Sequence, residues 1–188
     1  MAKSRSKGTE KNKRVLLGVT ASIAAYKACD LVGMLQKKGF SVKCVMTPDA
    51  AKFVRPLVFE TLTGQKVVTK MFKLPEKRSP EHISLAEDTD IILVAPATAD
   101  IIGKIASGIS DDILTCAICA SQKPVVLAPA MNDNMFRNPI VQDKIQYLRK
   151  KGYHFIDPVE GHLACGRNGI GHLAPLDEIV RRVEKILN

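Results

Sequence analysis

Two stretches of the chain place small, hydroxylated residues where an apolar run gives way to a helical pattern. Gly18-Val19-Thr20-Ala21-Ser22 is one, and Ala95-Pro96-Ala97-Thr98-Ala99-Asp100 is the other. Backbone N–H groups at a helix N-terminus, with the helix dipole and the Thr20, Ser22 and Thr98 hydroxyls, suit a phosphate. Ser22 and Thr98 are equally suited to cap the helices that follow them. Thr47-Pro48, after the second strand, and Ala106-Ser107-Gly108 offer further hydroxyls near the same edge. Repetition of such turns at neighbouring strand ends favours a shared ligand crevice over isolated turn chemistry. The G-x-G-x-x-G spacing of dinucleotide sites is absent, so a mononucleotide fits better.

Cysteine points away from metal chemistry. Cys116 and Cys119 form a C-x-x-C, but the stretch 111–120 reads as a helix on which they occupy adjacent turns of one apolar face. No second Cys or His pair completes a ligand set, and no metal is expected. Five cysteines, an odd number without regular spacing, imply free thiols in a reducing compartment, and a cytoplasmic protein is expected. Asn134, His154 and His162 read as structural.

These turns need a scaffold that brings strand ends together. Short runs rich in Val, Ile and Leu over 14–19, 41–46, 91–95, 124–128 and 153–156 read as strands buried on both faces. Helical patterns alternate with them over 22–38 and 139–151, each stopped by a glycine, and over 176–187 at the end. This order predicts an α/β fold: one domain over 14–188 with a doubly wound parallel sheet, a flavodoxin-like or Rossmann-like three-layer sandwich. Segment 74–80 reads as a loop. The long connection 157–175, with four glycines and a cysteine, reads as a lid.

The net charge of +9 is concentrated at the start, where Lys3, Arg5, Lys7, Lys11, Lys13 and Arg14 face only Glu10. Residues 1–13 are read as a disordered basic tail. The chain has no Trp and only 5% aromatic residues, so the stacking surfaces of nucleic-acid binders are missing and nucleic acid is not an expected partner. No stretch is long and apolar enough for a membrane span, and no membrane partner is expected. The modest excess of positive charge in the body suits a small anionic substrate.

After the fourth strand stands Pro129-Ala130-Met131-Asn132-Asp133-Asn134-Met135-Phe136. It closely resembles the P-x-M-N-x-x-M-W motif of the homo-oligomeric flavin-containing cysteine decarboxylases, with Phe136 in place of Trp. The resemblance runs from Arg14 to the C-terminus. It includes G-V-T-A-S-I-A-A-Y-K at 18–27, His82, the A-P-A-T-A-D turn, A-S-G-I-S-D-D at 106–112 and Ala164-Cys165-Gly166-Arg167-Asn168-Gly169-Ile170-Gly171. Within that family the order and spacing are most similar to the phosphopantothenoylcysteine decarboxylases, often joined to a synthetase half that is not expected in this chain. His172-Leu173 departs from the Arg-Met usual in bifunctional relatives.

The resemblance implies FMN as cofactor, contacted at Gly18, Thr20, Ala21, Ser22, Thr47, Ala97, Thr98 and Ser107. It implies that Asn132, with Met131 and Ala130, binds the substrate carboxylate. His82 matches the active-site histidine, although a His packing beside 83–87 is the plainer reading of that residue alone. Cys165 matches a cysteine on a substrate-covering flap, its alternative being an incidental loop thiol. A homotrimer, or a higher assembly of trimers, is implied, with His82 reaching a neighbour's site. The implied activity is that of an FMN-dependent carboxy-lyase converting phosphopantothenoylcysteine to phosphopantetheine in coenzyme A biosynthesis. Two-electron oxidation of the CH2–SH group gives a thioaldehyde, which lets CO2 leave as an enethiol forms, and the enethiol is then reduced with Cys165 as proton donor. Three alternatives share the cradle. An oxidative peptidyl-cysteine decarboxylase would release the enethiol, and Cys165 argues against it. A flavin prenyltransferase is not expected to carry the P-A-M-N segment. The third is a non-catalytic flavin-binding regulatory subunit that docks through its basic tail.

Overall fold

The computed structural model describes residues 12–71, 80–162, 166 and 168–188. Residues 1–11, most of the loop expected over 74–80, and Cys165 lie outside the described residues. Strands β1 (Arg14–Val19) and β2 (Ser41–Met46) match the apolar runs and pair in parallel, Val15 opposite Val42 and Val19 opposite Met46. The helix expected from 22 begins instead as a 3-10 turn, Ile23–Tyr26, before α1 (Lys27–Lys37). The Ser22 hydroxyl accepts from the Ala24 N–H and the Ser22 carbonyl from that of Ala25, and this tightens the entry. Two short helices, α2 (Ala50–Phe53) and α3 (Pro56–Thr63), precede α4 (Glu81–Glu87), which occupies what reads in sequence as a turn.

The second half continues the alternation. Strand β3 (Ile91–Ala97) runs two residues past the expected end because its small Ala95-Pro96-Ala97 segment stays fully buried against β4 (Val125–Pro129). Between them lie α5 (Ala99–Ser107) and α6 (Ile113–Ala120), the latter starting at a capping box of Asp112 and Thr115. Helices α7 (Asp133–Arg137) and α8 (Pro139–Lys150) lead to β5, which shortens to His154–Phe155. The long connection over 157–175, expected as a lid, carries an antiparallel ribbon, β6 (Val159–His162) with β7 (Asn168–His172), before α9 (Leu176–Leu187). Gly161, Gly169 and Gly171 weaken the strand signal there, so pairing rather than propensity makes these strands. Lys13, assigned by sequence to the tail, reaches the Leu187 carbonyl and Asn188 at the far end of the chain.

The five-stranded sheet has the parallel order β2-β1-β3-β4-β5, that of flavodoxin-like folds. Alternation along β1 sends Val15, Leu17 and Val19 to one face, where they meet Leu31 and Leu35 of α1 and Ile179 and Val183 of α9. Leu16 points to the other face, towards Ile101 of α5, Leu114 of α6 and Leu148 of α8. The chain leaves β1 on one side for β2 and returns on the other for β3. The crevice beyond the carboxyl ends of β1 and β3 is therefore the switch point at which such sheets bind ligands.

Candidate active site

A cavity of about 490 Å³ opens at this switch point, within the usual range for small-molecule sites. One wall is the segment after β1, with Ala21, Ser22, Ile23, Ala24, Tyr26 and Lys27, together with Thr98 after β3. The facing wall comes from the turn after β4, with Ala130, Met131, Asn132 and Met135, and from His162, Gly171, His172 and Leu173 of the ribbon and its exit.

On the first wall the hydroxyls divide into two kinds. Thr20 is only 1% exposed; its hydroxyl donates to the Pro96 carbonyl at 2.7 Å and accepts from the Thr98 N–H at 3.2 Å. A hydroxyl has one proton to give, so Thr20 ties the β1 and β3 turns together and does not line the cavity. Ser22 and Thr98 accept as caps from Ala24 and Ile101, each at 3.3 Å, which leaves each O–H proton to donate. Both line the cavity, so capping the helices is compatible with a ligand-facing hydroxyl at these residues.

The other sequence candidates for cofactor contact divide in the same way. Ala21 lines the cavity, whereas Gly18, Thr47, Ala97 and Ser107 do not. A Cβ on Gly18 would sit 2.7 Å from Leu114 Cδ1, so its bare backbone serves the close approach of α6. Thr47 Oγ1 accepts from the Ala50 N–H at 3.3 Å in the turn that enters α2, and Ala97 is fully buried in β3. Ser107 is exposed at the far end of α5, 3.4 Å from Lys144 Nζ. His82, half-buried in the first turn of α4, lies outside the cavity of its own chain.

The second wall is held by backbone. The Ala130 N–H donates to the Ala97 carbonyl and the Met131 N–H to the Gly171 carbonyl, both at 3.0 Å, which docks β7 on the turn. Gly171 has φ +145°, and a Cβ there would lie 2.1 Å from the Met131 carbonyl oxygen, so only glycine permits this contact. Asn132 caps α7 by accepting from the Asn134 N–H at 2.9 Å, which makes its side-chain amide the donor end. Phe136, in the Trp position of the motif, is 9% exposed and packs within the core beside the sheet.

Four further cavity residues have polar side chains: Tyr26 and Lys27, at the end of the 18–27 stretch, and His162 and His172 of the ribbon. Lys27 Nζ stands 3.0 Å from His172 Nε2. Burial, and then the Lys27 charge, hold the His172 imidazole below its ordinary pKa. His162, read from sequence as structural, is brought to the cavity by the ribbon. Cys116 Sγ donates to the Ser110 carbonyl at 3.2 Å and meets Met71 Sδ at 3.4 Å, as a structural thiol does. Among the described residues no cluster of three metal-ligating side chains occurs.

The chain's likenesses follow the same geometry. A family model described as Flavoprotein matches residues 3–188. A Streptococcus mutans protein described as a probable phosphopantothenoylcysteine decarboxylase is 41% identical, over 93% of this chain and 99% of its own. The coenzyme A biosynthesis bifunctional protein CoaBC of Bacillus subtilis is 47% identical over 93% of this chain, which spans only 43% of that protein's length. Among solved structures, a PPC decarboxylase mutant complexed with pantothenoylaminoethenethiol superposes with a TM-score of 0.82 at 31% identity, covering 93% of this chain and 98% of the other.

Proposed function

The chain belongs to the flavoprotein family, and from that premise we propose that it is an FMN-dependent carboxy-lyase that decarboxylates phosphopantothenoylcysteine to phosphopantetheine. One observation carries the reading: the P-A-M-N turn, with Asn132, shares a single switch-point cavity with the donor hydroxyls of Ser22 and Thr98. A flavin mononucleotide fits such a lining. Ile23, Tyr26, Met131 and Met135 offer apolar surface to a planar ring, and Ser22 and Thr98 present hydroxyls to polar groups of the cofactor. The strand order of the sheet is also the one in which FMN sits between β1 and β3.

When bound, the flavin supplies a two-electron acceptor that is restored at the end of the cycle, so the reaction has no net redox change. The protein's work is positioning and proton transfer. Asn132 orients the carboxylate through its amide, holding the breaking C–C bond in place while the sulfur-bearing carbon is at the thioaldehyde level. The walls exclude water while the enethiol stands. Cys165 then gives the proton that completes phosphopantetheine, and His82 serves acid–base chemistry in the site of a neighbouring copy. A homotrimer suits this division. Ile23, Tyr26, Phe53, Leu57 and Val58 form exposed apolar surface on the 3-10 turn, α2 and α3, and His82 stands outside its own cavity. No helix among the described residues is long and apolar enough to cross a membrane.

The test is the Asn132→Ala variant. It is expected to release one FMN per chain on denaturation, as the parent does, while losing turnover. Loss of flavin with turnover of the remaining holoenzyme intact would assign Asn132 to the cofactor and remove the carboxylate role.

A further inference from the structure

Among the described residues that line the cavity, Lys27 alone carries a fixed charge. Its ammonium has no carboxylate within ion-pair distance among those residues. Its partner is the neutral His172 ring, with Nζ to Nε2 at 3.0 Å. A half-buried cation facing mostly apolar walls, and held by a neutral acceptor, is incompletely compensated. The imidazole occupies one of three ammonium protons, so two remain to donate. Burial, and then the Lys27 charge, hold the His172 imidazole below its ordinary pKa, so its Nε2 stays an acceptor for the ammonium. Lys27 stands on the Ser22 and Thr98 wall and His172, after Gly171, whose carbonyl holds the Met131 N–H, on the Asn132 wall, so the couple bridges the two sides of the cavity.

We propose that Lys27 and His172 form a phosphate receptor through which the cavity reads the terminal phosphate monoester of its substrate. The inference rests on the decarboxylase reading and adds to it the residues that select the phosphorylated arm. Lys27 Nζ donates to phosphate oxygens directly, and His172 places the ammonium by accepting one of its protons. FMN carries the same chemical group, so the test separates the two sources.

FMN-loaded protein is titrated calorimetrically with phosphopantetheine and with pantetheine, which share the arm and lack the reacting carboxylate. The parent is expected to prefer the phosphorylated compound by on the order of tenfold or more. Lys27→Met is expected to bring that ratio close to one while pantetheine binding persists, and Lys27→Arg to keep a clear preference. Equal binding of both compounds by the parent overturns the receptor while leaving the decarboxylase reading intact. So does an equal loss of both in Lys27→Met. A variant that weakens FMN but not riboflavin assigns the couple to the cofactor's phosphate and overturns the substrate assignment. If the parent binds neither compound, the decarboxylase reading falls and the receptor with it.

Discussion

On the β1 and β3 side of the cavity, the threonine and serine hydroxyls are bonded to their own scaffold. Thr20 spans Pro96 and Thr98 at 1% exposure, and Ser22 and Thr98 cap the turns that carry them. On the β4 and ribbon side, Asn132, His162 and His172 face the cavity from a short turn and a two-stranded ribbon joined to it by the Met131–Gly171 bond. The first wall is locked before any ligand arrives, while the second owes its position to backbone docking, since an isolated hairpin has little stability of its own. Substitutions on the first wall should therefore be felt in stability and flavin retention. Those on the second should be felt in turnover.

The largest expected effect is a change of product. In Cys165→Ser, which lies in sequence between β6 and β7, substrate should still bleach the flavin and release CO2. An oxidised, enethiol-type compound should accumulate in place of phosphopantetheine, as product analysis would show. Normal turnover to phosphopantetheine would move the proton donor elsewhere. Next is Gly171→Ala, whose added Cβ meets the Met131 carbonyl at 2.1 Å and displaces the ribbon. Turnover should fall on the order of 100-fold, since displacement of a positioning element by about 1 Å has that scale. Thermal midpoint and flavin content should change little; a large drop in midpoint would show that the ribbon is part of the fold's foundation.

On the locked wall, Thr20→Val leaves the Pro96 carbonyl and the Thr98 N–H without their buried partner. Urea denaturation should show a loss of about 1–3 kcal/mol, with Thr20→Ser recovering most of it. Catalytic constants of the flavin-loaded variant should stay near the parent's. Ser22→Ala is the mildest, removing a cap worth roughly 0.5–1 kcal/mol and one hydroxyl at the cavity. Ser22→Asp should weaken flavin binding far more than its stability change implies, because it places a carboxylate where the phosphate is expected.

The parts of the molecule legible in sequence are those fixed by local composition. β1 and β2 stand out because strands buried on both faces must be continuously apolar, and α9 because Ile179, Val180 and Val183 mark one helix face. The strand-end turns are legible through their small hydroxylated residues, but what each hydroxyl does is not. Thr20 and Ser22 are two residues apart, yet one is sealed between strands and the other opens on the cavity, a difference made by the docking of β3. The ribbon is illegible for a related reason: Gly169 and Gly171 fit Asp133 and Met131, partners more than thirty residues away. With the ribbon unseen, His162 reads as structural, and His172 shows only as a departure from the Arg-Met of the flap in bifunctional relatives.

The central claim is that this cavity performs a complete decarboxylation with no net oxidation. Anaerobic incubation of the purified, FMN-loaded protein with phosphopantothenoylcysteine tests it most directly, with CO2 and phosphopantetheine measured together over many turnovers. Equal amounts of the two, with the flavin oxidised again at the end, are what the account predicts. Release of CO2 limited to one equivalent per flavin with an enethiol product, or no CO2 at all, would contradict it.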